Sequence, residues 1–167
     1  MRKVLLAGVA LAAFAAYAAG PARAETATAE MTVQATATAT CTVAAGTLDF
    51  GSYTGASDVD GSATITVNCG SVEPSNLVYV TFGLGSHADS TQRRMADDGT
   101  GTQFLNYNLY SDSGRTTALG DTDQLSVTLS LNTGEYGGEA TVYGRVPSGQ
   151  NVKAGTYTDT VVVTLNY

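Results

Sequence analysis

From Ala27 to Val43 the chain alternates without a break. Ala27, Ala29, Met31, Val33, Ala35, Ala37, Ala39, Cys41 and Val43 are apolar, and every residue between them is polar. A two-residue period puts all the apolar side chains on one face of an extended strand and all the polar ones on the other. Strands in small domains run to five or six residues, and about ten is the upper end. The run therefore divides into two segments. The later one, around Cys41, belongs to the body of a β-fold. The earlier one, Ala27 to Ala37, is rich in threonine, lacks Gly and Pro, and carries two large apolar side chains, Met31 and Val33. An extended segment of this kind, unanchored at the start of a chain, is an aggregation hazard unless it has a partner strand. That partner is either its own sheet or another molecule.

Residues 1–24 read as an export signal. Arg2 and Lys3 precede an uncharged apolar run from Val4 to Ala19, and Ala22-Arg23-Ala24 supplies the small-x-small cleavage pattern. The run is mostly alanine and falls short of the roughly 20 residues that a membrane span needs. The mature chain then starts at Glu25, passes through the periplasm, and ends at the cell surface or in an extracellular coat. It carries five basic and fifteen acidic residues, a net charge of −10. Such a chain does not seek nucleic acid or anionic lipid through general electrostatics. Its Gly, Thr and Ser content, without heptads or a 3.6-residue pattern, points to an all-β fold with many turns.

In an exported protein the pair Cys41 and Cys69 most simply forms one disulfide. Closing that loop contributes roughly 3–4 kcal/mol by the chain-entropy estimate. The body reads as about seven short strands. Ala63, Ile65, Val67 and Cys69 share one face. So do Val78, Val80, Phe82 and Leu84; Leu105, Tyr107 and Leu109; Leu125, Val127, Leu129 and Leu131; Ala140, Val142, Gly144 and Val146; and Tyr157, Val161, Val163, Leu165 and Tyr167. Two stacked antiparallel sheets bury so many half-apolar strands. The last strand is strongly patterned, and nothing after it in the sequence can pair with its free edge. A spare strand at one terminus and a free edge at the other fit strand donation between chains. The pair Arg93-Arg94 is expected to meet Asp97, Asp98 or other surface carboxylates.

Five stretches carry a family resemblance. They are Cys41-Thr42-Val43 with Leu48-Asp49-Phe50-Gly51-Ser52-Tyr53; Ile65-Thr66-Val67-Asn68-Cys69; Arg94-Met95 with Leu105-Asn106-Tyr107-Asn108-Leu109-Tyr110-Ser111-Asp112; Val142-Tyr143-Gly144-Arg145-Val146-Pro147; and Gly155-Thr156-Tyr157 through Leu165. In this order they resemble the spore coat protein U domain family, which includes the subunits of archaic, Csu-type chaperone–usher pili. Where that family usually carries Trp-Gly, this chain has Leu119-Gly120. The resemblance implies an incomplete immunoglobulin-like antiparallel β-sandwich with an N-terminal donor strand. Residues 25–37 would be the donor extension, with Ala27, Ala29, Met31, Val33, Ala35 and Ala37 facing inward, and residues 38–167 the sandwich. The acceptor groove would involve Val43, Leu48, Tyr157, Val161, Val163, Leu165 and Tyr167. Partners implied are further copies of the chain in a head-to-tail polymer, a periplasmic chaperone and an outer-membrane usher. The implied role is a surface fibre supporting adhesion and biofilm formation.

Three other readings stand beside it. An enzyme finds little support, because the single histidine is His87 and the carboxylates are scattered through loops. Asp58, Asp60, Asp97, Asp98, Asp121 and Asp123 suggest calcium only through Asp121-x-Asp123, which lacks the rest of a calcium loop. No cofactor or metal is therefore expected. A monomeric carbohydrate-binding sandwich would use exposed tyrosines, yet Tyr79, Tyr107, Tyr110, Tyr157 and Tyr167 fall within expected strands. A secreted coat or matrix protein would share the fold and the strand exchange.

Overall fold

The computed structural model describes residues 25–74 and 78–167, so the expected signal segment lies outside the described residues. Two units are taken separately: the residues up to Ala35, and the body Thr36–Tyr167. In the first, residues 25–35 carry no strand pairing, and Met31 and Val33 are 83% and 80% exposed.

The body is all-β, with ten strands and no helix among the described residues. They are β1 (Cys41–Ala45), β2 (Val59–Cys69), β3 (Tyr79–Phe82), β4 (Arg93–Asp97), β5 (Phe104–Tyr110), β6 (Leu125–Ser126), β7 (Ser130–Asn132), β8 (Glu135–Val146), β9 (Tyr157–Thr158) and β10 (Val163–Asn166). A large antiparallel sheet runs β1-β2-β8-β5-β4-β9, with β7 also on β8, and a small one runs β10-β3-β6. This is the sandwich of immunoglobulin-like type that the alternating strands call for.

Its centre is the ladder between β2 and β8, continuous from Val59↔Val146 to Cys69↔Tyr136. The inward residues of β2 (Ala63, Ile65, Val67, Cys69), β5 (Leu105, Tyr107, Leu109) and β8 (Val142, Val146) meet Val80 and Phe82 of β3. Each such side chain, fully buried, contributes about 1.5–3 kcal/mol. Cys41 and Cys69 are directly paired across β1 and β2 and are joined by a disulfide.

Three expectations change. The stretch Leu125–Leu131 is not one strand. It breaks after Ser126, and β7 turns away to pair with the start of β8, which leaves Leu131 59% exposed. The last strand also divides. Its first part, β9, pairs with β4 in the large sheet, and its second, β10, pairs with β3 in the small one. Tyr167 follows the final ladder pair, Asn166↔Tyr79, and is 49% exposed rather than inward, because no strand among the described residues extends to cover it.

Candidate functional site

Hydrogen-bond parity identifies the open edges. In β1 the even residues bond to β2: Gly70 N–H donates to Thr40 O, and Gly46 N–H donates to Thr64 O. Antiparallel pairing alternates bonded and non-bonded positions, so the N–H and C=O groups of Cys41, Val43 and Ala45 point to the other side. That side has no strand among the described residues. The last strand behaves likewise. Gly83 N–H donates to Val162 O, and Ser86 N–H donates to Thr160 O. The backbone groups of Val161, Val163 and Leu165 therefore point away from β3, toward an edge with no partner among the described residues.

The same odd residues are the inward ones. Cys41, Val43, Val161, Val163 and Leu165 are half-buried and pack against the common core. β1 and β10 approach each other, with some Cα atoms within 8 Å, yet they do not pair. Further along, a groove of about 610 Å³ opens between Leu48–Thr54 and Gln150–Tyr157, with Met95, Leu105 and Val146 among its lining. Leu48 and Tyr157 thus line a groove, whereas Val43, Val161, Val163 and Leu165 lie along the two edges that continue from it. The segment Ala27–Ala37, expected to be the donor, is exposed throughout.

Two glycines make room for one groove wall. Gly61 and Gly144 sit opposite each other on β2 and β8. A Cβ on Gly144 would meet the Phe50 ring at 2.8 Å and Leu48 Cδ1 at 3.0 Å, so the missing side chains make the recess that seats Leu48 and Phe50. On the same wall Tyr53 accepts the Gln150 N–H from across the groove at 2.8 Å and donates to Pro147 O at 3.1 Å. The Gln150 amide in turn accepts the Asn106 N–H at 2.7 Å and donates to Asn106 O at 3.0 Å, standing in for a ladder neighbour of β5.

One of the two arginines is placed differently from the sequence expectation. Arg93 does not pair with a surface carboxylate. It is 4% exposed and donates to the carbonyl oxygens of Phe82, Gly83, Leu119 and Gly120, stitching β3 to the 119–120 turn. Burial pulls its pKa below the usual guanidinium range. Arg94 pairs with Asp89 at 3.2 Å and lies 4.1 Å over the Phe104 ring. Neighbours in a strand face opposite sides, and that rule, applied to Arg93-Arg94, is the signal that separates them.

Asp159 was also missed. Its side chain is 3% exposed. Ser86 Oγ donates to its Oδ1 at 3.0 Å, His87 N–H donates at 3.2 Å, and His87 Nδ1 lies 3.1 Å away. Tyr107 donates its hydroxyl to Oδ2 at 2.7 Å. Burial, with that bond to a carboxylate, pushes the Tyr107 hydroxyl pKa far above its ordinary value. Among the described residues no group of three His, Cys, Asp or Glu side chains is placed to hold a metal ion.

The spore coat protein U domain model matches residues 27–164. Protein U of Myxococcus xanthus is 36% identical over 173 aligned residues, which cover 93% of each chain. The chain belongs to the spore coat protein U domain family. Among solved structures it is similar to a chain of the chaperone–tip adhesion subunit pre-assembly complex from archaic chaperone–usher Csu pili of Acinetobacter baumannii. The TM-score is 0.55 at 22% identity, and the match covers 77% of this chain but 40% of that one. That likeness is one of fold.

Proposed function

We propose that this spore coat protein U domain protein is a structural subunit of a secreted surface fibre of the archaic chaperone–usher type. Each copy donates residues 25–37 into the open side of the next. The observation that carries the reading is the pair of unpaired edges. The backbone groups of Cys41, Val43 and Ala45 and those of Val161, Val163 and Leu165 lack strand partners among the described residues, while the half-buried side chains beside them already face the core. One added strand would bond to an edge through its backbone and bury alternate side chains. The exposed, strictly alternating segment from Ala27 to Ala37 has that form. Met31 and Val33 would each contribute about 1.5–3 kcal/mol on burial. A head-to-tail contact of this kind does not close on itself, so it produces a fibre. Before assembly a periplasmic chaperone would cover the open side, and an outer-membrane usher would exchange it for the next subunit. The fold likeness to a chain of a chaperone–subunit complex supports this order of events. Adhesion and biofilm formation follow as the roles of the assembled fibre.

The test is assembly of the mature chain expressed in a periplasm, read as a ladder on unboiled SDS gels. The full chain is expected to give the ladder. The chain without residues 25–37, or with Met31 and Val33 replaced by Asp, is expected to give none while keeping its disulfide. A compact monomer from the full chain and the truncated chain alike overturns the reading.

A secreted coat or matrix role is the second reading. It is favoured by the 36% identity to Protein U over nearly the whole of both chains. It shares the strand donation and differs in export partners. Chaperone and usher genes beside this one favour the pilus, and their absence favours the coat.

A further inference from the structure

We propose that Asp159 is the positioning residue of the open edge: by tying the last strand to Ser86, His87 and Tyr107 where it passes from the large sheet to the small one, it presents Val161, Val163 and Leu165 to an incoming strand in one register. The proposal rests on the strand-donation reading above.

Asp159 occupies an inward slot. Along the last strand the odd residues Tyr157, Val161, Val163 and Leu165 are half-buried and pack on the core, and Asp159 interrupts them with a carboxylate. Burying an ionised carboxylate is costly unless hydrogen bonds replace its water. Here they do. Three neighbours come from the loop after β3 (Ser86 Oγ, His87 N–H and the His87 ring) and one from β5 (the Tyr107 hydroxyl). The buried Arg93 guanidinium adds a nearby positive charge. The loop is shaped to this end. Gly85 has φ +92°, and a Cβ there would overlap Asp159 Oδ2.

The location gives the contact its meaning. Residues 159–162 fall between β9 and β10 and carry no strand assignment. Two backbone bonds, Ser86 N–H to Thr160 O and Gly83 N–H to Val162 O, hold them on one side. On the other side they have no strand partner among the described residues. A strand held along one edge only, with repeating valines at 161, 162 and 163, has a weakly specified register. A slip by one residue would turn Val162, now 68% exposed, inward and Val161 outward. A directional anchor with four partners forbids that slip, because no other residue of the segment can satisfy Ser86, His87 and Tyr107 together. The ordering cost of the edge is then met on folding rather than when the donor enters, which raises the rate of entry.

The test separates positioning from general stability. Three mature chains are compared: wild type, Asp159→Asn, and Val142→Ala. The last thins the buried face of β8 without touching the last strand's anchor. Thermal midpoint and rate of ladder formation on unboiled SDS gels are measured for each. Asp159→Asn keeps the shape but leaves one acceptor oxygen where two are used, so either the Ser86 and His87 side or Tyr107 loses its acceptor. It is expected to slow ladder formation roughly tenfold, whereas Val142→Ala lowers the midpoint and leaves the rate within about twofold. Equal slowing at equal loss of midpoint, or Asp159→Asn assembling at the wild-type rate, overturns the proposal. Should Asp159→Asn fail to fold, His87→Ala removes one half-exposed partner and leaves Ser86 and Tyr107 bonded. It is expected to slow assembly roughly threefold, and an unchanged rate overturns the proposal. Failure of the wild type to form a ladder is the separate failure of strand donation itself, and the anchor then has no edge to position.

Discussion

β2 and β10 are both alternating strands that face the same core, yet one is closed on both sides and the other on one. β2 is paired to β1 along five residues and to β8 along eleven. Among the described residues β10 is paired only to β3, along four. Both sequences alternate, Ala63-Ile65-Val67 in one and Val163-Leu165 in the other. The burial differs: Ile65 and Val67 are buried, and the β10 residues are half-buried. A two-residue period reports which face is covered. It does not report how many edges are paired. The degree of burial does, because a missing neighbour strand leaves apolar side chains covered on one flank only.

The largest effect tests that difference. Ile65→Ala removes a fully enclosed side chain and is expected to cost about 2–5 kcal/mol in chemical denaturation of the monomer. Val163→Ala, at a half-covered position, is expected to cost about 1 kcal/mol. Equal losses would mean that the last strand is enclosed as fully as β2, and the contrast between them would be gone.

The disulfide comes next. It joins β1, the open end of the large sheet, to β2, which is paired on both sides. Replacing both cysteines by serine is expected to lower monomer stability by about 3–4 kcal/mol on chain-entropy grounds. Hydrogen exchange is expected to rise first in β1 and last in β2 and β8. Uniform acceleration across all three would show that β1 is as firmly held as its neighbour.

A smaller loss is expected from the groove wall. Gly144→Ala places a methyl against the Phe50 ring and Leu48, which must shift to admit it. Overpacking of this kind costs about 1–3 kcal/mol. Displaced Leu48 and Phe50 would also narrow the groove, so ladder formation slows along with the loss of midpoint. A substitution without effect would place Leu48 and Phe50 elsewhere than on the glycine pair.

These positions also mark how far the sequence could be read. The inward residues of β2, β3, β5 and β8 were legible because alternation and side-chain type agree there, and Cys41 with Cys69 was legible from export and count. The open edges were suggested by the spare alternating segment Ala27–Ala37 and by the family resemblance. Four features escaped. Arg93 lies on the buried side of β4, where charge argued for the surface and only strand parity argued against it. Asp159 occupies an inward slot of an apolar run, a visible irregularity whose partners are some 50 to 70 residues away in the chain. The break after Ser126 depends on β7 finding β8, a pairing that local propensity cannot anticipate. Gly144 reads as a weak strand residue until Phe50 is seen to rest on it.

Asp97 gives the smallest effect and addresses the other end of the open side. Its carboxylate accepts the N–H groups of Gln103, Thr100 and Thr102 and the Thr100 hydroxyl. The Gln103 and Thr100 backbone bonds hold its pKa at about 2, below the ordinary 3.8. A carboxyl whose folded pKa is depressed adds stability that is present above its unfolded pKa and is lost as pH falls through the folded one. The window here is from about 3.8 down to about 2. The turn that Asp97 closes also carries β9, through Asp97↔Tyr157 and Asp98 N–H to Thr156 O. Because β9 has no other strand partner among the described residues, acid is expected to loosen the start of the last strand before the β2–β8 ladder. Thermal midpoints measured between pH 5 and pH 2 are expected to fall less steeply in Asp97→Asn than in the wild type, the two curves converging at the acid end. Parallel curves would detach the 97–103 turn from the stability of the open side.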